Sequence, residues 1–301
     1  MKRDLLTLLD LTREEILYIV KEGERLKDLQ KRGISHRFLE GRTIAMVFEK
    51  PSTRTRVSFE VGIAQLGATP VVLHAGEMQL GRGETVEDTS RVLSRYVDGI
   101  MIRAYSHQAV ETLAKASTVP VINGLTDATH PCQILSDLLT IYEQKGSVEG
   151  MTVAYVGDGN NVAHSWILAA GRLDFSLRLG CPKGYEPDPE FLAKVPPERV
   201  KLFHDPLEAV AGADVVYTDV WASMGQEEEA QKRLRDFEGY QVTSELMSRA
   251  KEDAVFMHCL PAHRGQEVAA EVIDGPQSIV FDQAENRLHA QKAILAFLLL
   301  H

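Results

Sequence analysis

An alternation that runs along the chain twice most constrains its fold: short apolar runs, each followed by a longer amphipathic segment. In the first round, Thr43-Ile44-Ala45-Met46-Val47-Phe48 reads as a buried strand and residues 54–66 as a helix. Val71-Val72-Leu73 is a second strand, and a Gly-rich stretch over 76–83 precedes a helix over about 85–96. Gly99-Ile100-Met101-Ile102 and Val119-Pro120-Val121-Ile122 supply a third and a fourth strand. Ahead of them, Thr12-Arg13-Glu14-Glu15 has the form of a capping box that opens a helix to about residue 30. Pro131, a residue suited to the first helical position, opens a long helix that stops near Gly146. The second round places strands at 152–156, 176–179, 200–203, 215–218, 254–257 and 279–281.

Strand–helix alternation of this kind predicts parallel sheets covered on both faces. The expected fold is α/β with two domains, each a parallel sheet flanked by helices. Residues 1–132 plus 284–301 form the first domain and 133–283 the second, because the last helix has no strands of its own and packs back onto the first domain.

Composition narrows the function classes. Of 301 residues, 43 are acidic and 33 basic, a net charge of −10 that argues against general nucleic-acid binding. A local arginine cluster must then serve a local purpose. Cys132, Cys181 and Cys259 form no CxxC pair or disulfide framework, as expected for a reducing cytoplasm. No apolar run has the length of a membrane span, and the first residues lack the apolar stretch of a signal peptide.

Open parallel sheets bind ligands beyond the carboxyl ends of their strands, so the residues after each strand matter most. The first strand leads to Ser52-Thr53-Arg54-Thr55-Arg56. Ser52 can cap the helix, leaving the N–H groups of Thr53, Arg54 and Thr55 free at a positive dipole end that attracts anions. Two guanidiniums add bidentate phosphate donors. The competing reading is a solvated cap with surface arginines, although arginines there oppose the dipole unless an anion is bound. No Walker loop is present. The third strand ends in Arg103, and the fourth leads to Thr129-His130-Pro131-Cys132-Gln133, where His130 is either a donor to a carbonyl oxygen or a structural histidine.

In the second domain, Gly157-Asp158-Gly159-Asn160-Asn161 begins like a dinucleotide fingerprint but has Val162 in place of its third glycine. The asparagine amides suit a polar small molecule equally well. Asp219, at a strand end, is a natural partner for an ammonium group. It opens Asp219-Val220-Trp221-Ala222-Ser223-Met224-Gly225. The last of these motifs is His258-Cys259-Leu260-Pro261, in which Cys259 is a nucleophile or a hydrogen-bonding thiol. The spacing of His258, Cys259 and His263 matches no usual zinc site, so no metal is expected.

Taken in order and at this spacing, Ser52–Arg56, His130–Gln133, Asp219–Gly225 and His258–Pro261 resemble the ornithine carbamoyltransferases over essentially the whole chain, with Glu285-Asn286-Arg287 in the returning helix. The first motif is shared with aspartate carbamoyltransferases, whereas Ser223-Met224-Gly225 and Cys259-Leu260 resemble the ornithine branch. The resemblance implies that carbamoyl phosphate is held by Ser52, Thr53, Arg54, Thr55, Gln79, Arg103, His130, Gln133, the backbone of Cys259 and Leu260, and Arg287. Ornithine falls to Asn161, Asp219, Ser223 and Met224. Arg54, Arg103, His130, Asp219 and Cys259 carry catalysis, without cofactor or metal. The implied role is citrulline formation in arginine biosynthesis. Gln79 would reach a neighbouring subunit's site, which implies homotrimers with shared active sites. The rivals are a carbamoyltransferase that uses aspartate, putrescine or an acylated ornithine, an NAD-dependent dehydrogenase, and a non-catalytic amino-acid sensor.

Overall fold

The computed structural model describes residues 2–78, 83–222 and 229–300. The chain forms two compact units, Met1–Gln144 with Glu285–His301 and Lys145–Ala284. Among the described residues, the first unit holds strands β1 (Thr43–Phe48), β2 (Thr69–His74), β3 (Gly99–Arg103) and β4 (Val121–Leu125). They pair in the order β2-β1-β3-β4, all parallel. Its helices are α1 (Arg13–Lys31), α2 (Thr53–Gln65), α3 (Val86–Leu93), α4 (His107–Ala116) and α5 (Pro131–Lys145). The C-terminal helix (Val280–Leu300) gives this unit everything from Glu285 onward.

Local chemistry sets these boundaries. Thr12 caps α1 in a full capping box, since its side chain accepts from Glu15 N and the Glu15 carboxylate accepts from Thr12 N. Central strands β1 and β3 are apolar and buried nearly throughout, as sheets covered on both faces require. Edge strand β2 is only partly buried and carries Pro70, which an edge tolerates because no neighbour needs its missing N–H. Helix α2 meets the C-terminal helix at Gly62, where a Cβ would lie 3.2 Å from Lys292 Cγ and 3.3 Å from Leu288 Cδ1.

The second unit holds β5 (Thr152–Val156), β6 (Ser176–Gly180), β7 (Val200–Phe203), β8 (Val215–Thr218) and β9 (Val255–His258), parallel in the order β7-β6-β5-β8-β9. Around them lie α6 (Asn161–Ala170), α7 (Pro189–Leu192), α8 (Pro206–Val210), α9 (Ala230–Asp236), α10 (Ser244–Met247) and α11 (Ala270–Ile273). Its core is aromatic as well as aliphatic. Tyr155 and Tyr217 stack at 5.8 Å, and the Trp166 edge packs on Tyr217 at 5.6 Å. Burying each such ring contributes on the order of 1.5–3 kcal/mol.

Two expectations need correction. The domain boundary falls after Gln144, not after residue 132, because α5 is one unbroken helix tied to the first unit along its length. Asn286 Nδ2 donates to Thr140 Oγ1 at 3.0 Å, and Lys27 pairs with Glu143 at 2.8 Å. The apolar run at 279–281 is not a strand. The residue before it, Ser278, makes one bridge to Phe256, and the C-terminal helix begins at Val280. Helix α4 also occupies a stretch that the periodicity left unassigned.

Candidate functional site

Each sheet has a switch point, where consecutive connections leave in opposite directions, and ligands bind there. In the first sheet it lies between β1 and β3. Phe48 and Arg103 are register partners, and Glu49 N donates to Arg103 O, so the chain leaving β1 starts beside the Arg103 strand end. Ser52 caps α2 by accepting from Thr55 N at 3.2 Å. Thr53 and Arg54 are exposed on that first turn, and Thr55 is buried. No acid occupies the turn to oppose an incoming anion.

Thr55 Oγ1 is the hub of this cluster. It accepts from Arg287 Nη2 at 2.8 Å and lies 3.4 Å from Arg103 Nη1. Arg287 also donates to Gln133 Oε1, and its Nη1 lies 3.5 Å from His130 Nε2. Gln133 Nε2 in turn donates to Asp137 Oδ1 at 2.8 Å, which fixes its amide orientation. Burial, reinforced by the charges of Arg287 and Arg103, holds His130 well below the usual imidazole range. The ring is therefore neutral at neutral pH, a hydrogen-bond donor without a full charge. Two buried guanidiniums, a neutral imidazole and a helix N-terminus form a preorganised site for an anion joined to a carbonyl.

In the second sheet the switch point lies between β5 and β8. Thr218 and His258 are register partners, so Asp219 and Cys259 leave the sheet side by side. Asp219 is buried and densely held. Its Oδ2 accepts from Asn160 Nδ2 at 2.9 Å, and its Oδ1 from Cys259 Sγ at 3.0 Å and Val220 N at 2.8 Å. Asn160 Oδ1 caps α6 by accepting from Val162 N and Ala163 N. Asn161, which the sequence reading favoured, is half-buried in the first turn of α6, while Asn160 holds the carboxylate. Gly159 answers to packing rather than to a dinucleotide, because a Cβ there would lie 2.2 Å from Pro187 N.

A second carboxylate stands nearby. Asp158 is buried against Arg233, whose Nη1 donates to Asp158 Oδ2 at 2.8 Å and to Trp221 O at 2.7 Å. Burial pushes Asp158 up to about 6, and Arg233 opposes that rise. Neither residue was singled out in the sequence, since only the fold places a residue of α9 beside the end of β5.

His258 closes the last strand. Asp219, His258 and Cys259 each bring one potential metal-ligand atom within 4.8 Å of the others. Both ring nitrogens of His258 are already engaged, Nδ1 by Leu260 N at 2.9 Å and Nε2 with Glu267 Oε1 at 3.3 Å. The cluster is thus built as a hydrogen-bonded network. Leu260 has φ of 57°, in the left-handed region, which costs a branched side chain about 1–2 kcal/mol. Gln79, Ser223 and Met224 lie outside the described residues.

Comparison with known proteins agrees with both halves of this description. Residues 3–143 match the family description "Aspartate/ornithine carbamoyltransferase, carbamoyl-P binding domain", and residues 149–298 match "Aspartate/ornithine carbamoyltransferase, Asp/Orn binding domain". The ornithine carbamoyltransferase of Thermococcus kodakarensis is 57% identical over 99% of this chain and 96% of its own length. That of Syntrophus aciditrophicus is 56% identical over 99% of this chain and 100% of its own length. Among solved structures, the Pyrococcus furiosus ornithine carbamoyltransferase superposes with a TM-score of 0.95 at 56% identity, covering 99% of this chain and 97% of that one.

Proposed function

Since the chain belongs to the aspartate/ornithine carbamoyltransferase family, we propose that it transfers the carbamoyl group of carbamoyl phosphate to the side-chain amine of L-ornithine, releasing L-citrulline and phosphate in arginine biosynthesis. The observation that carries this reading is the convergence of Arg103, Arg287, Gln133 and His130 around Thr55 at the head of α2. Ser52, Thr53, Arg54 and Thr55 hold the phosphate through the helix terminus. Arg103 and His130 polarise the carbonyl, with Gln133 and Arg287 at the carbamoyl end. The attacking amine forms the new C–N bond, the carbonyl oxygen gains charge in the tetrahedral intermediate, and the C–O bond to phosphate breaks. Donors already in place for that oxygen need no reorganisation, and losing one typically costs about 10²–10³ in rate.

The acceptor side is acidic. Asp219, to which Cys259 donates, suits an ammonium, and Asn161, Ser223 and Met224 join it in holding ornithine. This charge favours a cationic acceptor over aspartate, whose second carboxylate would meet Asp158 and Asp219. The backbone of Cys259 and Leu260 contributes to carbamoyl phosphate, and Cys259 or Asp219 orients the amine or takes its proton. A free alkylammonium has a pKa of about 10.4, so the reactive neutral amine grows about tenfold per pH unit below that value. Activity at limiting ornithine therefore rises from pH 6 to pH 8, and a flat profile would contradict the proposed nucleophile.

The assembly contains trimers in which Gln79 serves a neighbouring site. Val57, Val61, Val92 and Tyr96 support such an interface, as large apolar side chains on the surface of the first unit. Tyr96 alone is 75% exposed. Light scattering on the purified protein reads the assembly directly, and a monomer would contradict it. A cytoplasmic setting accords with three free cysteines. Among the described residues, no helix is long and apolar enough to cross a membrane. The decisive experiment is a citrulline assay with ornithine and carbamoyl phosphate each omitted in turn and with aspartate, putrescine and acetylornithine offered instead. Citrulline only with both natural substrates supports the reading. Preference for another acceptor overturns it.

A further inference from the structure

Glu267 has no part in the reaction proposed above, yet it is fully buried in the second unit. Burial alone pushes a carboxylate up. Here the hydrogen bonds from His258 and from His263 N outweigh it and hold Glu267 below the usual range. Both hydrogen bonds converge on Glu267 Oε1, while Oε2 lies 3.6 Å from His263 Nδ1, and the geometry shows what the Oε1 contacts do. Leu260 N is only a donor, so His258 Nδ1, 2.9 Å away, must present a lone pair. The ring proton therefore sits on Nε2, facing Glu267 Oε1 at 3.3 Å. The same carboxylate oxygen accepts from His263 N, which ties the far end of the loop to its start. On the backbone, His258 N donates to Gln283 Oε1 at 2.9 Å, and Gln283 Nε2 donates to Tyr217 Oη at 3.2 Å. The ring is thus fixed from both sides.

We propose that Glu267 is a positioning residue: by selecting the Nε2–H tautomer of His258, it makes Nδ1 the acceptor that holds Leu260 N–H and keeps Leu260 in its left-handed conformation. Had the proton been on Nδ1, it would point at Leu260 N–H, and nothing would offset the strain at φ of 57°. Cys259 lies between His258 and Leu260, so the same constraint sets the direction of the thiol that donates to Asp219. The inference rests on the substrate-binding roles proposed for Cys259 and Leu260. Its first readout does not depend on turnover.

That readout is the imidazole ¹⁵N spectrum of histidine-labelled full-length protein at pH 8, with His258 assigned by its loss in His258→Asn. The wild type should show the Nε2–H tautomer. An Nδ1–H tautomer overturns the proposal whatever the enzyme does. The second readout is kcat. Glu267→Gln keeps an acceptor for Nε2–H and should stay within about threefold of wild type. Glu267→Met fills the space without an acceptor and should lose at least tenfold, with the Nε2–H signal gone. In His258→Asn, whose Oδ1 can still accept from Leu260 N–H, adding Glu267→Met should lower kcat little further. Full and additive losses in that double variant would mean that Glu267 acts independently of His258 and would overturn the proposal. Absence of citrulline in the wild type together with the Nε2–H signal would instead fault the functional reading and leave the tautomer assignment standing.

Discussion

At the switch point of the first sheet, two guanidiniums meet at one hydroxyl with an imidazole beside one of them, whereas at that of the second a carboxylate is held by an amide, a thiol and a backbone N–H. The topologies are close relatives, parallel sheets in the orders β2-β1-β3-β4 and β7-β6-β5-β8-β9. Strand order decides only where a ligand can sit. The residues at and just beyond each strand end, joined in the first unit by Arg287 of the C-terminal helix, decide its charge, basic in one unit and acidic in the other. Buried charge follows the same division. In the first unit, Lys292 is buried against Gln30, His36 and Gln65 with no carboxylate among these partners, and desolvation lowers it to about 8. In the second, burial raises Asp158 to about 6 despite Arg233.

The largest test of this contrast removes the cation from the acidic unit. Arg233→Met leaves Asp158 buried without its partner and should cost about 3–5 kcal/mol in urea unfolding at pH 7.5. The sign of the pH dependence follows from the raised value. The folded chain holds the Asp158 proton more tightly than the unfolded chain does, so stability falls as pH rises from about 4 to about 6. In the variant that fall should extend to higher pH, and the loss should shrink at pH 5. An equal loss at both pH values would mean that Arg233 matters through packing alone.

Next comes the basic unit. Arg287→Gln should lower kcat/KM for carbamoyl phosphate by about 10²–10³ and leave ornithine affinity nearly unchanged. Its mirror image, Asp219→Asn, should raise the ornithine KM by about 10- to 100-fold, the worth of a hydrogen bond to a charged group, with carbamoyl phosphate binding preserved. Steady-state kinetics with each substrate varied in turn checks both, and crossed effects would break the division of labour. The smallest effect is expected at Lys292. Its lowered value means that the folded chain holds the proton less tightly than the unfolded chain. Stability should therefore climb between about pH 8 and pH 10, by about 1 kcal/mol per unit. Lys292→Met should flatten that climb.

What could be read from the sequence was what local chemistry decides. The Ser52 cap, the helix that begins at Thr53 and the strand-end positions of Arg103 and Asp219 all follow from neighbours a few residues away. Arg287 was tied to the phosphate motif through the resemblance, and Asp137, which accepts from Gln133, went unnoticed because a buried acid on an apolar helix gives no local signal. Arg233 was missed because its partner Asp158 is 75 residues away and set by tertiary packing, and Glu267 because the loop path that brings His258 and His263 N onto it is not visible in sequence. The run at 279–281 misled because a short apolar segment fits a buried strand or a buried helix turn equally well. The boundary expected at residue 132 fell inside α5, because the surface on which a helix packs is not visible in sequence.

The bond between Arg287 and Thr55 joins residues 232 positions apart. A nascent chain that has emerged only as far as Gln144 holds every strand of the first sheet, and yet it lacks the guanidinium that completes the proposed anion site. The first unit can begin to fold early in synthesis, but its site matures only when the end of the chain arrives. Its competence to bind is therefore timed by translation of the whole polypeptide, with the acidic unit made in between.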